Sequence, residues 1–394
     1  MTGSRGLVAL ALIATAAPAA AQKQEPAPQG VTLLVAVKPE RGFVDDAFAF
    51  DGSGGRLAIV RADAGTFAEI ELIDLGQRGA SLVRFDVTAD TTEVSSLAFT
   101  RDGDLFVIAR SADSGTATGL LYSPAGKRLR KFGPASDVAL AEVDGDEVVS
   151  LLTTKPQKAG ITWEVSVLGV SDGKPRGKKR VLQAREDGFV QSLAARILYW
   201  RGGYVQAVTQ KKGEYDRFQD QRQPDTVAVW DVRDAAFVKN AVISDVVGHA
   251  AVMKLRDEHP GEAEFVLVAP DLGGLELVTA DDRRVRIGTA ESFGHYDPKT
   301  LHYRAGRDGK VYFTLTIDPV NADAVARKKA DPELIDLYVF DPAGTKPCAD
   351  RLARLPRAGL PFSWQVGGGR WAVLRKHKGF DRGGATLEIY DLAK

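Results

Sequence analysis

The chain has 394 residues with 52 basic and 52 acidic side chains, so it lacks the overall positive charge typical of nucleic-acid binders. Its 40 glycines and 18 prolines break it at short intervals, which excludes a helical bundle and points to an all-β protein. The single cysteine, Cys348, rules out an internal disulfide, and a lone thiol in an oxidising compartment is expected to be buried.

In chain order the first element is a targeting signal. Arg5 precedes an apolar stretch from Leu7 to Ala17, and Ala19-Ala20-Ala21 meets the small-x-small rule for signal-peptidase cleavage. The apolar run is too short to persist as a spanning helix. Residues 1–21 are therefore expected to be a secretory signal peptide. Residues 22–30 are polar, hold two prolines and read as a tether. Residues 31–394 form the folded domain. The mature chain is expected in the periplasm or outside the cell, with no transmembrane segment.

An alternating strand ending in a turn-forming residue then recurs seven times. Its copies run Glu69 to Leu75, Thr118 to Pro124, Glu164 to Val170, Thr226 to Val232, Gly274 to Ala280, Leu337 to Pro342 and Thr386 to Leu392. The equivalent positions are Asp74, Ser123, Gly169, Asp231, Thr279, Asp341 and Asp391, at spacings of 49, 46, 62, 48, 62 and 50. Such a period marks a repeat architecture. Each copy stands third in a four-strand unit. In the second unit, Ser95 to Thr100 and Leu105 to Arg110 flank an Arg101-Asp102-Gly103 turn, and Arg128 to Phe132 follows Pro124-Ala125-Gly126. First strands are expected near Asp46, Ser95, Val138, Val190, Ala250, Thr300 and Pro361. The seventh unit ends one strand short, while Val31 to Val37 alternates with no unit of its own. It is expected to complete that unit. The fold class predicted is a seven-bladed β-propeller of four-stranded antiparallel blades, with the N-terminal strand closing blade seven. Seven copies disfavour eight blades, and even spacing disfavours a pair of sandwiches.

This plan resembles the WD40-like seven-bladed β-propeller superfamily at fold level, over residues 31–394. The Trp-Asp mark of that superfamily stands once, in Val229-Trp230-Asp231. Its Gly-His mark stands only as the dipeptides Gly248-His249 and Gly294-His295. No specific family is implied.

Extra residues fall between second and third strands: Gln210 to Asp225, Asp318 to Ile335, and smaller insertions at Lys376 to Gly384 and Thr154 to Gly160. That shared position puts all four on one face of a propeller, the natural place for binding loops. Candidate contact residues there are Lys211, Lys212, Tyr215, Arg217, Phe218, Arg222, Arg327, Lys328, Lys329, Lys376, Phe380 and Arg382. The function expected is a binding or scaffold protein for a protein or glycan partner, without nucleic acid. The alternative is a metal-dependent lyase or hydrolase. His249 and His295 would ligate a divalent ion at the channel mouth, near Asp45, Glu93, Asp137 and Asp187. A structural part in an envelope assembly is a third possibility. Neither a catalytic motif nor any other cofactor signature is present.

Overall fold

The computed structural model describes residues 28–37, 43–62, 68–87, 93–111, 114–157, 160–182, 189–190, 197–201, 204–211, 226–231, 233–234, 236–242, 265–268, 275–279, 284–288, 302–305, 308–316, 334–346, 348–356, 363–376 and 385–392. None of their helices is long and apolar enough to cross a membrane.

Strand β1 (Val31–Val37) comes first. The first sheet follows as β2 (Phe43–Phe50), β3 (Arg56–Ala62), β4 (Ala68–Asp74) and β5 (Ala80–Asp86). The second holds β6 (Glu93–Phe99), β7 (Leu105–Arg110), β8 (Ala117–Tyr122) and β9 (Arg128–Ala135). The third holds β10 (Asp137–Val143), β11 (Asp146–Gln157), β12 (Gly160–Gly169) and β13 (Arg180–Val181). In the fourth are β14 (Phe189–Val190), β15 (Ile197–Arg201), β16 (Tyr204–Lys211), β17 (Thr226–Asp231) and β18 (Phe237–Val242). The fifth holds β19 (Phe265–Val268), β20 (Leu275–Thr279) and β21 (Arg284–Gly288). The sixth holds β22 (His302–Ala305), β23 (Val311–Thr316), β24 (Leu334–Phe340) and β25 (Asp350–Pro356). The last comprises β26 (Ser363–Gly367), β27 (Arg370–Lys376) and β28 (Ala385–Leu392), and β1 adds to its outer side. Each sheet is an antiparallel meander in chain order, apart from that added strand and the split first strand of the fourth.

The sheets stack face to face, which explains why the second strands are apolar on both sides. In β3, Leu57 and Ile59 pack against the seventh sheet, while Ala58 and Val60 pack against the second. In β7, Leu105 and Val107 face the first sheet, and Phe106 and Ile108 face the third. In β27, Ala372 and Leu374 face the first sheet, and Trp371 and Val373 face the sixth. Trp163 of β12 meets Trp230 of β17 edge-on, with ring centroids 5.9 Å apart. This is a propeller-like arrangement, in which the third, second, first, seventh and sixth sheets pack one on the next.

The recurring acidic residue at the end of third strands closes the next turn. The Asp74 carboxylate accepts from the Gly76 and Gln77 amides at 2.8 and 3.3 Å, and Asp341 accepts from Ala343 at 3.0 Å. A β-bulge recurs opposite that end. The extra residue is Leu82 in β5, Leu129 in β9, Val238 in β18 and Leu34 in β1. So β1 is built to the plan of a fourth strand. It pairs along β28 from Val31↔Leu392 to Val37↔Leu387, as expected from the missing strand. Leu34, Val35 and Val37 pack on the cluster shared by the seventh and first sheets.

One expectation is corrected and two are extended. Thr154 to Gly160 is not a loop, because β11 and β12 stay paired up to Gln157↔Gly160. The first strand expected near Val190 is β14, and the fourth sheet adds β15; both pair with β16. The segment before β1 is tied at its end, where Gln29 and Arg354 exchange backbone hydrogen bonds of 2.9 Å.

Candidate functional site

In the first, second, third and sixth sheets the second-to-third connection leaves at one end and the other two turns leave at the opposite end. Lys211 and Lys376 are the last residues of β16 and β27, so both stand at the second-to-third end. Lys212, Tyr215, Arg217, Phe218, Arg222, Arg327, Lys328, Lys329, Phe380 and Arg382 lie outside the described residues, as do the proposed metal ligands His249 and His295.

The third sheet shows how this face is built. β10 begins at Asp137, opposite Leu152, and β13 pairs only with Glu164 and Val165. Beyond these points β11 and β12 continue as a two-stranded ribbon, from Lys155↔Thr162 to Gln157↔Gly160. At about 3.3 Å per residue it projects by roughly 10 Å. An ion pair of 2.6 Å between Lys155 and Glu164 braces its base.

Charged residues below this face pair both within and between sheets. Asp137 joins two neighbouring sheets. Its Oδ1 accepts from Arg110 Nη2 at 2.7 Å and from the Val138 amide at 3.0 Å, tying the second sheet to the third. Among the described residues no group of three His, Cys, Asp or Glu side chains is placed to hold a metal ion. An acid within the third strand recurs as Glu71, Glu164, Asp336 and Glu388, each paired with a basic residue. Glu71 alternates with Ile70 and Leu72, which face the second sheet, so it turns toward the seventh. Burial raises its carboxyl, but bonds from Ser81, Arg61 and Arg84 outweigh that and hold it below the ordinary value. The Arg375–Glu388 pair also engages Tyr390, whose hydroxyl donates to Glu388 at 2.5 Å. Burial pushes that phenol up to about 12. Sequence reading passed over these acids, although Glu71, Glu164 and Glu388, each followed directly by Leu, Val or Ile inside an alternating strand, were there to find.

At the opposite end, glycine turns interlock. Gly54 has φ of +70°, and a methyl there would meet Gly368 Cα at 2.8 Å. Arg370 donates to the Gly54 carbonyl, Arg56 to the Gly103 carbonyl at 3.4 Å, and Arg101 to the Gly145 carbonyl at 2.7 Å. Each arginine thereby latches its sheet to the first turn of the next. A cavity of about 190 Å³ opens among these turns. Its walls include Phe50 and Asp51 of the first sheet, Ala98 of the second, Gln365 of the seventh, and Asp308 and Tyr312 of the sixth. Tyr312 donates to Asp308 at 2.7 Å, and burial followed by that carboxylate raises its phenol. Burial raises Asp51, but bonds from Arg56 and Ser53 bring it below its usual value. These walls supply acceptors and the three aromatic rings of Phe50, Phe99 and Tyr312.

Cys348 is exposed rather than buried, in the segment between β24 and β25. That segment crosses the junction between the fifth and sixth sheets, where the Ala349 amide donates to the Ile287 carbonyl at 3.0 Å.

No family model and no curated protein matches the chain. Among solved structures it is similar to the CNH domain of AfRom2, at 10% identity and a TM-score of 0.42, covering 91% of this chain and 98% of that one. It is similar to the β-propeller domain of the Trilobed protease from Pyrococcus furiosus, at 11% and 0.42, covering 92% and 94%. The WD40 domain of coronin from Toxoplasma gondii stands at 10% and 0.43, covering 94% and 88%. Such likenesses concern the fold alone. The chain's own sheet order and its β1–β28 pairing give a propeller-like arrangement.

Proposed function

We propose that this chain is an exported seven-bladed propeller that binds a protein or glycan partner through the face carrying the second-to-third-strand connections. The observation that supports this most is the ribbon from Lys155 to Thr162, which rises past both neighbouring strands where packing asks for nothing. It shares that end of the sheets with Lys211 and Lys376. Aromatic and arginine side chains on such loops are the residue types that anchor interfaces.

The test uses paired variants. One replaces Lys155 to Thr162 by a two-residue turn, and the other removes residues 212–224. Partners captured by the intact protein from an envelope extract, together with a glycan array, provide the ligands. Both variants should keep the parent melting temperature within a few degrees and lose the captured ligand at least ten-fold. Retention of the ligand by both would refute the reading. Export is tested separately: the N-terminus of the native protein should begin near Gln22, and a cytoplasmic chain that keeps Met1 would refute that part.

A further inference from the structure

The even balance of charge over the whole chain conceals a strong local asymmetry. The outer strand of the second sheet is entered through Lys127 and carries Arg128, Arg130 and Lys131. The outer edge of the third sheet carries Lys174, Arg176, Lys178, Lys179 and Arg180. All of these except Arg130 are exposed. Within residues 127–131 and 171–181 the only acid is Asp172, and Arg176 Nη1 pairs with it at 3.1 Å.

Neighbouring sheets bring the two segments together, and backbone bonds hold them. Arg130 Nη2 donates to the Ser171 carbonyl at 2.7 Å. The Arg176 amide donates to the Val167 carbonyl at 2.8 Å, and the Leu182 amide to the Trp163 carbonyl at 2.9 Å. The basic edge is thus a fixed surface along the outer strands of the two sheets, reaching the base of the ribbon at Val181, which pairs with Glu164.

Two large hydrophobic side chains stand inside this basic surface. Leu129, the bulged residue of β9, is 46% exposed between Arg128 and Arg130, and Val181 is 52% exposed beside Arg180. A soluble polyanion needs the charge but gives no role to exposed aliphatic groups. An anionic lipid surface uses both, because its headgroups attract the basic residues and its acyl boundary accepts the apolar ones. We propose that the outer edges of the second and third sheets form a docking surface for an anionic lipid membrane, with Leu129 and Val181 entering the interface.

Co-sedimentation of the purified protein with vesicles tests this. Vesicles of phosphatidylcholine with phosphatidylglycerol should bind it, vesicles of phosphatidylcholine alone should not, and raised salt should release it. The triple variant Lys178→Glu, Lys179→Glu, Arg180→Glu should bind about a hundred-fold more weakly, since each basic residue near such a surface is worth about five-fold. The double variant Leu129→Ser, Val181→Ser keeps the charge and should still lose about ten-fold. Should the triple variant melt lower than the parent, Lys127→Glu with Lys174→Glu replaces it. Equal binding to both vesicle types would overturn the proposal. A silent serine pair, combined with tight binding to a sulfated polysaccharide, would overturn the lipid assignment and leave a surface that reads charge alone.

Discussion

Glu71 carries a charge where almost no water reaches it, at 3% exposure, between Arg61 and Arg84. Its carboxyl is held below the ordinary 4.5, so the folded state binds that proton less readily than the unfolded chain does. The stabilisation is therefore complete above about pH 5 and falls away as the pH drops through the folded value. Urea unfolding followed against pH should show this loss. In Glu71→Gln the acid dependence should flatten, and stability at neutral pH should fall by about 3–5 kcal/mol, because a buried ion pair loses its carboxylate. A second residue-scale expectation concerns Gly54. Alanine there meets both a left-handed backbone and the facing turn at Gly368, so Gly54→Ala should cost about 1–3 kcal/mol in a denaturant melt. Alanine at Gly309, with φ of +77° but open space around it, separates the backbone cost from the contact.

At the scale of elements, β1 joins two sheets. A chain starting at Val31 loses only the two backbone bonds between Gln29 and Arg354, about 2 kcal/mol at most. A chain starting at Lys38 loses the whole ladder with β28 and uncovers the cluster around Leu57, Ile59 and Leu374. Its melting temperature should drop by far more than that of the first truncation. Similar melting curves for the two would mean that β1 does not hold the ring. The closing strand was legible in the sequence because alternation is local and a missing strand can be counted. The ribbon at Thr154 to Gly160 was hidden by Pro156, which reads as a break. Pro156 stays in register opposite Ile161, past the point where β10 begins, so no strand on that side asks for its missing amide proton. The basic edge was illegible for a different reason. Lys127 to Lys131 and Lys174 to Arg180 are far apart in sequence, and only sheet stacking brings them together. Cys348 misled because burial was inferred from redox chemistry, whereas its neighbourhood is a turn at the surface.

For the whole molecule, the arrangement of β1 against β28 has a mechanical consequence. The two strands are antiparallel, so Val31 and Leu392 lie side by side. Force applied at residues 28 and 392 would first part Gln29 from Arg354 and then separate β1 from β28 one pair at a time, as a zipper opens. Handles placed at residues 37 and 392 would instead load the same bonds together, in shear. Single-molecule pulling should give a clearly lower opening force for the first pair of handles than for the second. A ring that resists heat as a unit would therefore yield readily to tension delivered through its own two ends.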